Sequence, residues 1–210
     1  MRKKEFAALG RQLIEYLPGF VVAKTDLLVV SPVTHTVRGI SLYGSIAPRD
    51  FYAHVFFQPL FRPAEHEALN LGWRIGGASW NADAIGVVEQ LGDLLAREAV
   101  PFLSRIVTVD DMIAVIRELR FGTSGYGREA LAYCLAKAGH YPEAIDDLNW
   151  VAAVANRAIE WQRVAAERAE LLAETLRTDP AKAQAMLTRW ETESATRLNV
   201  AAYRLRTHDH

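Results

Sequence analysis

Hydrophobic positions follow two different periods along this chain, and the change falls near residue 81. Phe6, Leu9, Leu13 and Leu17 stand three and four apart, which predicts an amphipathic helix over residues 2–17 that Pro18 and Gly19 stop. Phe20–Lys24 and Leu27–Val30 are apolar or β-branched runs and predict two strands, the second ended by Pro32. Val33 to Tyr43 alternates, with Val33, His35, Val37 and Gly39 on one side and Thr34, Thr36 and Arg38 on the other, and predicts a third. Asp50 to Gln58 is the strongest strand pattern, carrying Phe51, Tyr52, Val55, Phe56 and Phe57. Pro59 and Pro63 end it, because proline has no N–H to give a ladder. Leu71 to Ile75 predicts a short final strand before Gly76 and Gly77. The front of the chain thus reads as a helix followed by a small antiparallel meander.

From Asn81 the period is helical. Ile85, Val88, Leu91 and Leu95 predict a helix to about Glu98, which Pro101 breaks or restarts. Thr108 and Asp111 have the spacing of a capping box, ahead of an apolar face of Met112, Ile113, Ile116 and Leu119. Gly122 to Gly127 reads as a loop. The last third predicts three helical segments: about 126–138, closed by Gly139; Pro142 to about Arg177; and Pro180 to about Arg206. The second has no glycine or proline inside it and would be roughly 50 Å long. One of its stripes runs through Ile145, Leu148, Ala152, Ala155, Ile159, Gln162, Ala166, Ala169, Ala173 and Leu176, and a second through Val151, Val154, Ala158, Trp161, Ala165 and Leu172. The third segment carries Ala183, Leu187, Trp190, Ser194, Leu198, Ala201 and Leu205 on one stripe. Short connections favour antiparallel neighbours, so the expectation is a long antiparallel helical hairpin, with a second partner for the double-striped arm. The fold class is α+β, an N-terminal helix plus a small antiparallel sheet followed by an all-helical C-terminal portion. The expected divisions are residues 1–80, 81–121 packed on the sheet, and 126–207.

Composition narrows the classes of function. With 210 residues, half of them hydrophobic, a large core is within reach. All eight phenylalanines precede Gly122, and alanine dominates afterwards. The 24 basic and 25 acidic residues nearly balance, which argues against a general nucleic-acid surface. A single cysteine, Cys134, excludes an intrachain disulfide framework and any multi-cysteine zinc site, and fits a reducing compartment. No apolar run approaches the roughly 18 residues of a membrane span, so the expectation is a cytoplasmic protein without membrane partners.

Candidate chemistry is sparse. Phe121-Gly122-Thr123-Ser124-Gly125-Tyr126-Gly127-Arg128 places glycines ahead of a helix N-terminus, where free N–H groups can hold an anion. Ser124, Gly125 and Arg128 are therefore the candidate ligand-binding residues. The loop follows a helix rather than a strand and lacks the Gly-Lys-Ser/Thr ending of a Walker loop, so it also reads as an inter-helix linker with Ser124 as N-cap. The histidines, His35, His54, His66, His140, His208 and His210, do not make a convergent ligand set, and no metal or cofactor is expected. His35 and His54 are candidates to meet on neighbouring strands, with Glu65, His66 and Glu67 in the next loop. No Gly-x-Ser-x-Gly elbow occurs. Cys134 lies inside an apolar helix, and the paired acids Asp110-Asp111 and Asp146-Asp147 sit in first helical turns, where they complement the helix dipole. No catalytic residue is assigned. The aromatic residues of the front, Phe51, Tyr52, Phe56, Phe57, Phe61, Trp73 and Trp80, read as a sheet core, with some rings falling on the sheet's second face. Phe51, Phe57, Phe61 and Trp73, with Trp161 and Trp190 from the helical part, are the candidate protein-interface residues.

Two stretches carry resemblances. Lys3-Lys4-Glu5-Phe6, Gly19-Phe20 and Val100-Pro101-Phe102-Leu103 make residues 1 to about 120 resemble a bacterial domain-of-unknown-function family that occurs among toxin-immunity proteins. Leu131-Ala132 with Ala138-Gly139-His140-Tyr141-Pro142-Glu143-Ala144-Ile145 is similar to the turn of a single tetratricopeptide-like unit, without a second copy. The missing catalytic constellation, the aromatic sheet and the double-striped helix together lead to the expectation of a non-enzymatic bacterial cytoplasmic protein that binds another protein, such as an immunity or adaptor factor. Two alternatives stand beside it: a small-molecule or nucleotide-binding enzyme using Gly122–Arg128, and a structural homodimer built on the long hairpin.

Overall fold

The computed structural model describes residues 1–204. An amphipathic helix, α1 (Lys3–Leu13), opens the chain and runs into one 3-10 turn. Its apolar stripe is buried as the spacing predicts, at Phe6, Leu9, Leu13 and Leu17. Four strands follow in a meander: β1 (Phe20–Lys24), β2 (Leu27–Val30), β3 (Thr36–Gly44) and β4 (Asp50–Pro59). Two short strands, β5 (Gly72–Arg74) and β6 (Trp80–Asn81), both pair antiparallel with β4. The sheet order is β1-β2-β3-β4-β5. The fold is α+β, with a helical portion following the sheet.

Register fixes which side chains share a face. Val55 stands opposite Trp73 and Phe51 opposite Trp80, so the odd residues of β4 face one way. That face is the covered one. Phe6 of α1 meets Phe51 edge-on at 6.4 Å. Phe102 lies 6.2 Å from Phe57 and 4.5 Å from Trp73. The opposite face, through the pair His54 and Arg74, carries Tyr43, Tyr52, His54 and Arg74 instead.

Beyond the sheet come α2 (Val87–Leu94), a single π-helical turn at Leu95–Ala99, and α3 (Val100–Ser104). Pro101 does not break this helix. The Val100 N–H donates to the Leu95 carbonyl, five residues back, and the widened turn absorbs the donor that proline lacks. The expected stripe is corrected at its start: Ile85 is 98% exposed and precedes the helix, and Val87, Leu91 and Leu95 are the buried positions.

The helical elements that follow are α4 (Val109–Glu118), α5 (Gly125–Ala138), α6 (Tyr141–Val154), α7 (Glu160–Thr178) and α8 (Pro180–Arg197). The capping box of α4 is present: Thr108 Oγ1 accepts from the Asp111 N–H at 3.1 Å and Asp111 Oδ2 from the Thr108 N–H at 2.8 Å. Gly139, at φ 89°, closes α5 as the spacing predicts.

The largest departure from the expected architecture is in the long arm. Residues 142–177 do not form one helix, because Asn156 ends α6. Its Oδ1 accepts from the Ala158 N–H at 3.1 Å, and its carbonyl accepts from Ile159 at 3.0 Å. This local turn competes with the helical ladder and needs neither glycine nor proline. With the break, α6 packs along α7, so one expected stripe supplies two facing helices. The last helix is also shorter than the expected 180–206. Asn199, at φ 58°, terminates it, and the Val200 N–H returns to the Ala195 carbonyl. Leu205 and the His208–His210 pair lie outside the described residues.

The chain forms two compact units. Among the described residues, one contains Met1–Gln58, His66–Val107 and residues 195–204; the other contains Pro59–Glu65 and Thr108–Ser194. The boundary expected after residue 121 therefore falls at Thr108, the cap of α4.

Candidate functional site

The helical unit holds a cleft of about 280 Å³ at the corner where α6 stops and α7 begins. Ser124, Gly125, Tyr126 and Glu129 reach it from α5 and its cap, Trp150, Val151 and Val154 from α6, and Trp161, Gln162 and Ala165 from α7. The Asn156 turn builds this corner, since its backbone N–H donates to Gln162 Oε1 at 2.7 Å and ties the break to the first turn of α7. Tyr126 and Trp161 stack at 5.4 Å with planes 20° apart. Trp161 is 55% exposed and Val154 54%, and Ile159 beside them is also exposed. An apolar rim therefore continues outward from the cleft.

Charge around the cleft is closed by pairing. Arg62 directs Nε and Nη2 at Oε2 of Glu129, at 2.9 and 2.7 Å, and lies 5.3 Å over the Tyr126 ring. Both members of that pair are nearly buried. Arg128 donates to Asp147 Oδ1 at 2.7 Å and lies 4.3 Å over Trp150. On the far side of α5 from solvent, Tyr133 is fully buried and its hydroxyl has no hydrogen-bond partner among the described residues. Burial, and then the Glu129 charge, push its pKa well above the ordinary phenol range.

Ser124 and Gly125 both line the cleft, while Arg128 is turned to Asp147 and Trp150. Ser124 is the N-cap, its Oγ accepting from the Gly127 N–H at 3.0 Å. Gly127 is required by packing: a Cβ there would stand 1.7 Å from the Phe121 carbonyl oxygen. Gly127 thus seats α5 against the 3-10 turn at Phe121–Thr123.

The interface residues divide sharply. Phe51, Phe57 and Phe61 are 0% exposed and belong to cores, which corrects their assignment to a surface. Trp190 is buried beside Tyr133, with ring centroids 5.9 Å apart, and Trp73 is half-buried against Phe102. Trp161 alone of the six is largely exposed. The phenylalanines failed as surface residues because alternation puts Phe51 and Phe57 on the helix-covered face. Tyr126 and Trp150 escaped sequence reasoning, though Trp150 follows Asp147 by three residues and so shares its helical face. Arg62 had no signal at all, since its partner lies 67 residues away.

Elsewhere, Arg74 lies 4.1 Å over Tyr52 and donates to the Tyr43 hydroxyl at 2.8 Å on the sheet's second face. Arg49 is clasped by Glu5 at 2.6 Å and Asp83 at 2.7 Å. Among the described residues, no group of three His, Cys, Asp or Glu side chains could hold a metal ion, and no helix is long and apolar enough to cross a membrane. No protein-family model, no curated protein and no solved structure matches this chain.

Proposed function

We propose that this chain is a non-enzymatic binding protein of the bacterial cytoplasm that docks another protein on the α6–α7 corner. The observation that carries this reading is the exposed Trp161, stacked on Tyr126 at the mouth of an apolar cleft and flanked by Val154 and Ile159. A rigid aromatic anchor at a pocket, ringed by apolar neighbours, is how protein interfaces concentrate binding energy. An immunity or adaptor factor is a role of this kind. The engagement of Arg49, Arg62 and Arg74 by carboxylates and tyrosines supports a protein partner over nucleic acid. Against the nucleotide-enzyme alternative, Arg128, the cation expected to meet a phosphate, is committed to Asp147.

The test is capture from the source cell with the immobilised wild-type chain and with Trp161→Arg and Val154→Asp variants. A protein held by the wild type and lost from both folded variants supports the reading. An identical set of captured proteins from all three overturns it. Self-association lost in both variants would instead favour the homodimer.

A further inference from the structure

We infer that the cleft lined by Tyr126, Trp150 and Trp161 receives a neutral aromatic side chain bearing one hydrogen-bond donor, the indole of a tryptophan or the phenol of a tyrosine, presented by the protein partner. This rests on the protein-binding reading above and deepens it.

Size comes first. A cleft of about 280 Å³ has room for a ring system such as an indole or a phenol. Its walls are aromatic and aliphatic, from Trp150, Trp161, Val151 and Ala165. Flat apolar walls favour a flat guest, which gains stacking in addition to burial.

Charge then selects among flat or cationic guests. An aromatic box with a carboxylate is the usual receptor for an organic cation. Here the chain supplies its own cations. Arg62 lies over Tyr126 and is paired to Glu129, and Arg128 lies over Trp150 and is paired to Asp147. Each carboxylate beside the cleft is thus already paired to a guanidinium group of the chain, which leaves no unpaired charge to hold a third cation. A neutral guest fits.

Hydrogen bonding fixes the donor. Arg62 spends both of its N–H contacts on Oε2 of Glu129, and Oε1 accepts no hydrogen bond within the described chain, although Glu129 lines the cleft. A carboxylate oxygen only accepts, so the guest group that meets it carries N–H or O–H. Phenylalanine would leave that oxygen desolvated and unpaired. The exposed rim of Val154, Ile159 and Trp161 extends past the cleft, so a guest with flanking apolar residues covers more surface than a free ring does.

The test titrates the full chain with N-acetyl-tryptophanamide, N-acetyl-tyrosinamide, N-acetyl-phenylalaninamide and tetramethylammonium. Amide and indole resonances of Gly125, Trp150 and Trp161 are followed. A tryptophan peptide with apolar flanks is titrated alongside. The expected result is that the tryptophan and tyrosine amides shift these resonances, that the phenylalanine amide binds roughly fivefold weaker or worse, and that the flanked peptide binds tighter than the amide. Trp161→Ala and the cleft-filling Ala165→Phe, each with an unchanged circular dichroism spectrum, should abolish the shifts. Equal binding of the phenylalanine amide, preferential binding of tetramethylammonium, or no shift at millimolar amide overturns the inference. If the amides fail while partner capture still depends on Trp161, the docking reading survives and the aromatic anchor falls. If the free amide binds as tightly as the peptide and capture ignores Trp161, the docking reading falls.

Discussion

Tyr126 and Trp161 stack with ring centroids 5.4 Å apart, joining the first turn of α5 to the first turn of α7 across 35 residues of sequence. Because Trp161 is more than half exposed, its removal should cost little stability. We expect Trp161→Ala to lower the unfolding free energy by about 0.5–1.5 kcal/mol, the range of an aromatic pair. Urea titration of the two proteins checks this. A loss of several kcal/mol would mean that the ring is a core element and not an available anchor.

The Arg62–Glu129 pair should behave as a unit. Each side chain is nearly buried, and Arg62 donates twice to one oxygen. Removing either partner leaves the other charged and desolvated, which costs about 3–5 kcal/mol. Arg62→Met and Glu129→Leu should each destabilise by that order, and the double variant should be more stable than either. A double-mutant cycle by urea unfolding measures the coupling. Simple additivity would show that the two charges do not depend on each other.

Tyr133 should be improved by losing its hydroxyl. Among the described residues the oxygen is buried without a hydrogen-bond partner, while the ring packs on Trp190. Tyr133→Phe keeps the ring and removes the unsatisfied group, so the variant should be neutral or more stable by about 1–2 kcal/mol. Its neighbour Cys134 is wholly buried, and desolvation pushes the thiol pKa far above its ordinary value. A thiol reagent should therefore label Cys134 only as fast as the helical unit opens. Labelling at the rate of a free thiol in native buffer would contradict that burial.

Much of this fold is legible in the sequence because local rules and tertiary packing agree. The stripe Phe6, Leu9, Leu13 and Leu17, the capping box at Thr108, and the glycine stop at Gly139 all declare themselves within a few residues. The site is less legible because its decisive event is a side-chain turn. Asn156 interrupts an otherwise continuous apolar period without glycine or proline, and only the bond from Ala158 reveals it. Periodicity also cannot say which sheet face is covered. Phe51 and Phe57 alternate as well as Tyr52 and His54 do, yet the helices cover only the first pair.

The Asn156 turn is itself testable. Asn156→Ala removes the acceptor for the Ala158 N–H and raises the local helix preference, so the corner that forms the cleft loses its fixed geometry. A loss of about 1 kcal/mol is expected, together with weaker partner capture. Asn156→Asp keeps an acceptor oxygen in place and should retain most of both. Equal stability and capture in Asn156→Ala would mean that the break is set by α6–α7 packing alone.

His54 should make stability depend on pH within the histidine range. Its Nε2 faces the Leu69 carbonyl at 3.0 Å, and since a carbonyl only accepts, that nitrogen carries the proton of the neutral ring. Nδ1 is then a buried lone pair that makes no hydrogen bond among the described residues. Protonating it would bury a charge, so desolvation holds the His54 pKa below its ordinary value. The Leu69 backbone bond acts in the opposite direction, the Arg74 charge in the same one, and the Gly72 backbone again in the opposite one. The unfolded chain therefore takes up the proton more readily than the folded one, and stability rises with pH across this window. It is fully present above the ordinary histidine pKa and falls as the pH drops through that value toward the lower, folded one. Glu5 and Asp83 do not confuse this window. Hydrogen bonds, from the Arg2 backbone first and then Arg49 at Glu5, and from Arg49 at Asp83, hold both pKa values low, so their contribution is lost only at and below the ordinary carboxylate range. Urea midpoints at about pH 7 and about pH 5 for the wild type and His54→Phe isolate the effect. The wild type should lose more stability across that interval than the variant, and matching slopes would remove His54 as the cause.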